Sequence, residues 1–182
     1  MKKKFLVVGR SGSGKSSIVR EVASQLDLKV VKSYTTRPPR PEELAGNTDH
    51  YFISDEEVEQ FKDDMAAYTE INGYKYFATK SEVDQCDIYV IDPNGVEDLK
   101  SRCGDEFKFI TIYIRTSPDI AKKRAEKRGD DPQVYQSRIE KEDSQFKKFE
   151  HDMPWQFHIL NNHSFEEAVE TMKKFIRTEL HM

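Results

Sequence analysis

Gly9-Arg10-Ser11-Gly12-Ser13-Gly14-Lys15-Ser16 is the stretch of this chain that decides its fold. It meets the spacing GxxxxGK[ST] in full, and its flanks supply the context that gives the spacing meaning. Before it, residues 4 to 8 form a short apolar run bounded by charge and glycine, which reads as a buried parallel strand. After it, apolar residues at 18, 19, 22, 23 and 26 carry helical spacing from Ser16 to Leu26. A strand, a glycine-rich turn and a helix in that order make a phosphate cradle. The glycines let the backbone wrap phosphate oxygens with its N–H groups, and the helix N-terminus adds partial positive charge. On this reading Ser11, Gly12, Ser13, Gly14, Lys15, Ser16 and Ser17 hold ATP. Lys15 reaches the β- and γ-phosphates, and the Ser16 hydroxyl ligates Mg²⁺.

Outward from the loop, strands and helices alternate. Lys29 to Lys32 reads as a second short strand. Thr35 to Asn47, with Pro38, Pro39 and Pro41, reads as extended loop. Ser54-Asp55-Glu56-Glu57 has the form of a capping box opening a short helix. Asn72-Gly73, between Ala66–Ile71 and Tyr74–Ala78, is a hairpin signal. Ile88 to Ile91 and Phe107 to Ile114 are further strands, and Ser117-Pro118 opens a basic helix that runs to Arg128. Gly129-Asp130-Asp131-Pro132 breaks it. A polar helix follows from about Pro132 to Glu150; with few apolar positions, it is expected to be exposed and mobile. Gln156 to Leu160 is a last strand and Phe165 to Ile176 a last amphipathic helix. The alternation predicts an α/β fold: a parallel sheet with helices on both faces, interrupted over about residues 33 to 80 by an antiparallel lobe.

Composition excludes several classes of function. At 182 residues the chain suits one α/β domain. Charged residues make up 34% and the net charge is −4, with both signs scattered, so the broad basic surface that nucleic-acid polymers need is missing. No apolar run approaches the roughly 20 residues that span a bilayer. The basic start Met1-Lys2-Lys3-Lys4 leads at once into the short strand and the glycine loop rather than into a secretory signal, so a cytoplasmic location is expected. Cys86 and Cys103 form no CxxC pair and read as packing residues in a reducing compartment. The five histidines show no metal-ligand spacing.

One phosphate loop specifies a nucleotide but no reaction. The second signal is Ser33-Tyr34-Thr35-Thr36-Arg37-Pro38-Pro39-Arg40-Pro41, two arginines on a proline-stiffened segment. Guanidinium forks suit bidentate phosphate contacts, and a pre-extended loop lowers the ordering cost. With GRSGSGKSS, SYTTRPPRP, TDHYFIS, NGYKY, VIDPNGV, AKKRAEKRG and SRIEKED in this order, the chain resembles the guanylate kinase family over nearly its whole length.

The resemblance implies a phosphate-loop nucleotide kinase fold in one domain. The core takes residues 1–32, 81–128 and 151–182, a monophosphate-binding lobe takes 33–80, and a helical lid takes 129–150. It implies phosphoryl transfer from MgATP to a nucleoside monophosphate, GMP or dGMP first. The implied acceptor site is Ser33, Arg37, Arg40, His50, Thr69, Tyr76 and Asp92, with Asp92 near the guanine. Lys15, Arg37 and the lid arginines Arg128 and Arg138 are the implied catalytic cations, and Asn161 lies near the adenine end of the ATP site. Lys122, Lys123 and Arg124 read as solvated helix charges.

The chain departs from the family pattern around the base. His50 stands where a tyrosine is usual, Ala67 where a guanine-reading glutamate is usual, Phe77 where a glycine is usual, Ala78 where a threonine or serine is usual, and Val90 where an aspartate is common. Strand alternation puts Thr69, not Glu70, on the face of Ala67. These departures leave two other readings beside GMP: a kinase of another small phosphorylated acceptor, such as a different nucleotide or a ribose bisphosphate, and a non-catalytic phosphopeptide-binding module. Intact Lys15 and Ser16 speak against the module.

Overall fold

The computed structural model describes residues 1–44, 46 and 48–182; Ala45 and Asn47, at the end of the stretch read as extended loop, lie outside the described residues. In chain order the elements are β1 (Lys2–Val8), α1 (Lys15–Leu26), β2 (Ser33–Thr35), α2 (Pro41–Leu44), β3 (His50–Phe52), a 3₁₀ helix (Glu57–Asp64), β4 (Met65–Ile71), β5 (Tyr74–Thr79), α3 (Lys80–Gln85), β6 (Ile88–Val90), α4 (Pro93–Cys103), β7 (Phe107–Arg115), α5 (Pro118–Arg128), α6 (Pro132–Asp152), β8 (Phe157–Leu160) and α7 (Phe165–Leu180).

β1 lies inside an all-parallel sheet of order β6-β1-β7-β8. Its side chains are buried on both faces, as a parallel sheet covered by crossover helices requires. Phe5 and Val7 pack with Ile18 and Val22 of α1 and Met172 and Ile176 of α7. Leu6 and Val8 face the other way, onto Val96 and Leu99 of α4 and Phe146 and Phe149 of α6. Helices therefore cover both faces, and the α/β phosphate-loop class read from the sequence is the observed fold.

The second sheet has the order β3-β2-β5-β4. It is antiparallel except for β2 beside β3. Asn72 (φ 58°) and Gly73 (φ 78°) both take the left-handed conformation that a two-residue type I′ hairpin demands. The lobe has a small core of its own, Val58, Met65 and Phe77, with Tyr34 stacked on Phe77 at 5.0 Å. At a bulge in β4 the Tyr68 N–H is taken up by Asp98 of α4 at 2.8 Å, which fastens lobe to core.

Several elements differ from the sequence reading, each for a physical reason. Lys29–Lys32 makes one parallel bridge, Val30 to Ile88, and not a strand, because the chain leaves the core sheet there to enter the lobe. Within the proline-rich stretch, β2 ends at Thr35 and α2 forms at Pro41–Leu44. The Ser54/Glu57 box is reciprocal, with N–H to carboxylate at 2.7 Å and N–H to hydroxyl at 3.3 Å, but it opens a 3₁₀ rather than an α-helix. α4, to which the sequence reading assigns no element, starts at Pro93, capped by the Asp92 carboxylate, which accepts from the N–H groups of Asn94 and Gly95. The polar helix is anchored more than its composition suggests. Tyr135, Phe146 and Phe149 are buried, and the last two pack edge-on or stacked against Tyr113.

Candidate active site

The phosphate loop bridges β1 and α1, and its shape depends on two glycines. Gly12 has φ +80°, and a Cβ there would lie 2.7 Å from the Ala121 carbonyl; Gly14 has φ +83°, and a Cβ would lie 2.8 Å from Asn161 Nδ2. The loop is tied down from beneath. Asn161 donates from Nδ2 to the Ser13 carbonyl at 2.8 Å, and Thr116 Oγ1 donates to the same carbonyl at 3.3 Å. Ser13 and Asn161 are buried, and Ser13 Oγ and Asn161 Oδ1 have no hydrogen-bond partner among the described residues. Ser11, Lys15 and Ser16 line a cleft of about 970 Å³ between core, lobe and α6. Ser17 is exposed at the start of α1 and does not line it.

Lys15 is the focus of the electrostatics. Burial pulls its pKa below the usual lysine range, Glu142 opposes that shift, and the charges of Arg40, Arg138 and Arg128 add to it. Lys15, Arg40 and Arg138 line the cleft and feel one another's charge, an arrangement that favours anionic groups entering it. The pKa of Arg40 is likewise lowered, by burial first and then by Arg138 and Arg37. Among the described residues, Arg40 has no ion pair.

Across the cleft lies the second anion clamp. Arg37 and Glu43 form a two-point pair, Nη1 to Oε2 at 2.9 Å and Nη2 to Oε1 at 2.8 Å. Burial lowers the Arg37 pKa, but the bonds from Glu43 outweigh it and the net shift is upward. Glu43 also accepts from the Arg40 backbone N–H at 2.7 Å, so one carboxylate aims the Arg37 guanidinium and holds the backbone of Arg40. Ser33 Oγ and His50 Nδ1 are 2.8 Å apart on neighbouring parallel strands. Tyr76, opposite Thr35 in the ladder, sets its ring edge-on to His50 at 5.8 Å. Burial, and then the Arg37 charge, hold the His50 pKa down at about 4, so the imidazole is neutral at physiological pH. Tyr51 is turned away: it is exposed, with its ring beside Tyr34 and under Lys32.

The inner end of the cleft is where the departures fall. Ala67, Thr69, Val90 and Asp92 line it. Thr69 Oγ1 stands 3.5 Å from Asp92 Oδ1, the outer limit of a hydrogen bond. Burial pushes the Asp92 carboxyl up, against the α4 N–H groups that it caps. Glu70 is outside the cleft, bonded by Tyr68, as strand alternation required. Phe77 and Ala78, expected to shape the base pocket, do not line it. Alternation along β5 turns Phe77 into the lobe core, and Ala78 packs deeper, against Ala66 and Ala67.

On the lid side, Asp130 holds both arginines. Arg128 contacts it with Nε at 2.8 Å and with Nη2, and Arg138 Nη1 lies 3.9 Å from it. Arg138 lines the cleft; Arg128 does not, though its charge reaches Lys15 and Arg40.

Three residues of the site escape a reading by residue type. Arg124, read as a solvated charge, is half-buried instead. Its Nη1 has no hydrogen-bond partner among the described residues and lies 3.7 Å from where a Gly14 Cβ would be, so it faces the phosphate loop. Its place four residues ahead of Arg128, on one helix face, was the available signal. Glu43 sits within three residues of Arg40, but an acidic residue beside basic ones signals little alone. Glu142 carries no signal at all.

Comparison with known proteins gives a consistent picture. The family model described as guanylate kinase matches residues 1–179. A guanylate kinase of Fusobacterium nucleatum subsp. nucleatum is 28% identical over 166 residues, covering 87% of each chain. One from Thermotoga maritima is 30% identical, covering 96% of this chain and 86% of its own. Among solved structures, guanylate kinase from Anaplasma phagocytophilum superposes with a TM-score of 0.72 at 19% identity, over 98% of this chain and 86% of that one.

Proposed function

We propose that this chain, which belongs to the guanylate kinase family and is a nucleoside monophosphate kinase, transfers the γ-phosphoryl group of ATP to GMP or dGMP. The observation that carries the proposal is the pair of anion sites facing each other across one cleft: the phosphate loop with Lys15, and the Arg37/Arg40 clamp set by Glu43.

In this reading the loop N–H groups and Lys15 hold the β- and γ-phosphates, and Asn161 and Arg124 lie toward the rest of ATP. Ser33, Arg37, Arg40 and Tyr76 hold the acceptor's phosphate, with neutral His50 fixing the Ser33 hydroxyl. Thr69 and Asp92 meet the base. An acceptor phosphate oxygen bonds to the γ-phosphorus as the bond to the β–γ bridging oxygen breaks, and ADP leaves with that electron pair. The charge on the transferring group is then met by Lys15, Arg40, Arg138 and Arg128, the last two exchanging Asp130 for it. The cleft also fits Mg²⁺. Among the described residues no cluster of three or more His, Cys, Asp or Glu could hold an ion, while the Ser16 hydroxyl lines the cleft beside Lys15. That donor set suits an ion carried in on phosphate oxygens and steadied by Ser16, where it would neutralise phosphate charge.

The segments 1–32, 81–128 and 151–182 serve as core, 33–80 as the acceptor lobe and 129–150 as the lid. Only the part of α6 before Phe146 is free to move, since Phe146 and Phe149 are fixed in the core. No helix among the described residues is long and apolar enough to cross a membrane, and we place the activity in the cytoplasm. A coupled assay of ADP release with GMP, dGMP, IMP, AMP and UMP tests the proposal. Turnover is expected with GMP and dGMP first; release that ignores the acceptor would contradict it.

A further inference from the structure

One charged group in the cleft has no place in the reaction just described. Glu142, on α6, accepts a hydrogen bond from the Ser11 N–H of the phosphate loop at 3.1 Å. Its charge is also the leading favourable one acting on Lys15. A loop amide and the loop lysine are the two kinds of donor that a nucleotide's phosphate requires. The contact belongs to a larger attachment. Arg10, the residue before Ser11, pairs with Asp143 at 3.0 Å and with both oxygens of Glu150 at 3.2 and 3.1 Å. Glu150 in turn accepts from the Tyr113 hydroxyl. Acidic groups along α6 therefore grip two successive residues of the phosphate loop. The Asp143 and Glu150 pairs involve Arg10, whose side chain points out of the loop, and they are compatible with a bound phosphate. The Glu142 contact is not, because two anions cannot share the Ser11 amide.

We propose that Glu142 is a built-in competitor for phosphate, seated on the loop by α6 and expelled when a nucleotide binds. The proposal rests on the kinase reading above. Arg138 lies four residues before Glu142 on α6, so the two share a helix face. Expelling Glu142 therefore moves Arg138 as well, and the segment that shifts ends where Phe146 is buried. The same carboxylate weakens nucleotide binding and couples that binding to the position of a lid arginine, since a ligand shifts an equilibrium only through contacts that differ between its two states.

Calorimetric titration of the whole protein with MgADP tests this. Glu142→Gln removes the charge at nearly constant shape and should tighten MgADP binding roughly ten-fold, with Glu142→Ala shifting it the same way. Glu140→Gln, the same charge change on an exposed residue bonded only to Gln136, should shift it less than about two-fold. Unchanged or weaker binding in both Glu142 variants, or equal tightening by Glu140→Gln, would overturn the inference while leaving the kinase reading in place. Absence of MgADP binding in wild type and variants alike would remove the kinase reading and this inference with it.

Discussion

The two anion sites of this cleft are built by opposite means. The donor loop is eight consecutive residues whose binding groups are backbone amides, shaped by Gly12 and Gly14 and pinned from below by Asn161 and Thr116. The proposed acceptor clamp gathers side chains from β2, β3, β5 and the loop between β2 and α2, and depends on Glu43 to aim Arg37 and to hold the backbone of Arg40. Backbone amides cannot be mutated away one at a time, and their geometry follows from local sequence. Guanidinium groups can be lost singly, and their geometry follows from a counter-ion. The donor side should therefore be robust except at Lys15, Gly12 and Gly14, and the acceptor side graded.

Lys15→Ala separates the two most sharply. The loop backbone remains, but the transferring phosphoryl group loses its one buried ammonium, and turnover should fall by about 10³-fold or more with the fold intact. Circular dichroism with ATP turnover checks both halves of that statement; undiminished turnover would break the account of the donor side.

Arg37→Ala should lower kcat/KM by roughly 10²-fold, and by a similar factor for every accepted monophosphate, since it removes a cation proposed to hold the phosphate and nothing that reads a base. Glu43→Gln should act in the same direction and more weakly, because the arginine stays but loses its aim. If either variant affected one nucleotide alone, the clamp would be reading more than phosphate.

The inner end of the cleft sharpens the contrast further. With Ala67 and Val90 lining it, Thr69 and Asp92 are the polar groups proposed to meet a base. Each missing contact that leaves a ligand group unpaired costs about 1–3 kcal/mol. GMP should thus hold an advantage over AMP and IMP smaller by roughly 10²-fold than a fully polar guanine site would give. Steady-state kcat/KM ratios measure it, and a preference of many thousand-fold would show that Thr69 and Asp92 suffice.

The smallest effect concerns stability. The folded pKa of His50, about 4, lies below its unfolded value of about 6.5. Between those values the unfolded chain binds the extra proton, so stability conferred by neutral His50 is full above about pH 6.5 and is lost as pH falls toward 4. Denaturation midpoints followed across that window should decline in the wild type and decline less in His50→Asn. Equal slopes would mean that the Ser33–His50 pair is not held neutral by burial.

Much of this was legible in the sequence because it is local. The GxxxxGK[ST] spacing, the Asn72-Gly73 turn and the Gly129 helix end each depend on a few adjacent residues whose conformational needs are written in their type. The phosphate role proposed for Arg37 and Arg40 rests in the sequence on the prolines that hold them apart. What escaped depends on distance. Phe77 looked like a cleft residue until the pairing of β5 with β2 turned it into the lobe core. Arg124 looked solvated until α5 was laid beside the loop. The polar helix looked unanchored, because two phenylalanines in nineteen residues are a weak pattern until Tyr113 and Trp155 meet them. Glu142 reaches Ser11 across 131 positions of sequence.

The most direct test follows phosphorus itself. Phosphorus NMR of the protein with MgATP and GMP should show GDP and ADP rising together in equal amounts, with no inorganic phosphate at early times. ADP accompanied by inorganic phosphate and unchanged GMP, or no turnover of ATP at all, would contradict the account.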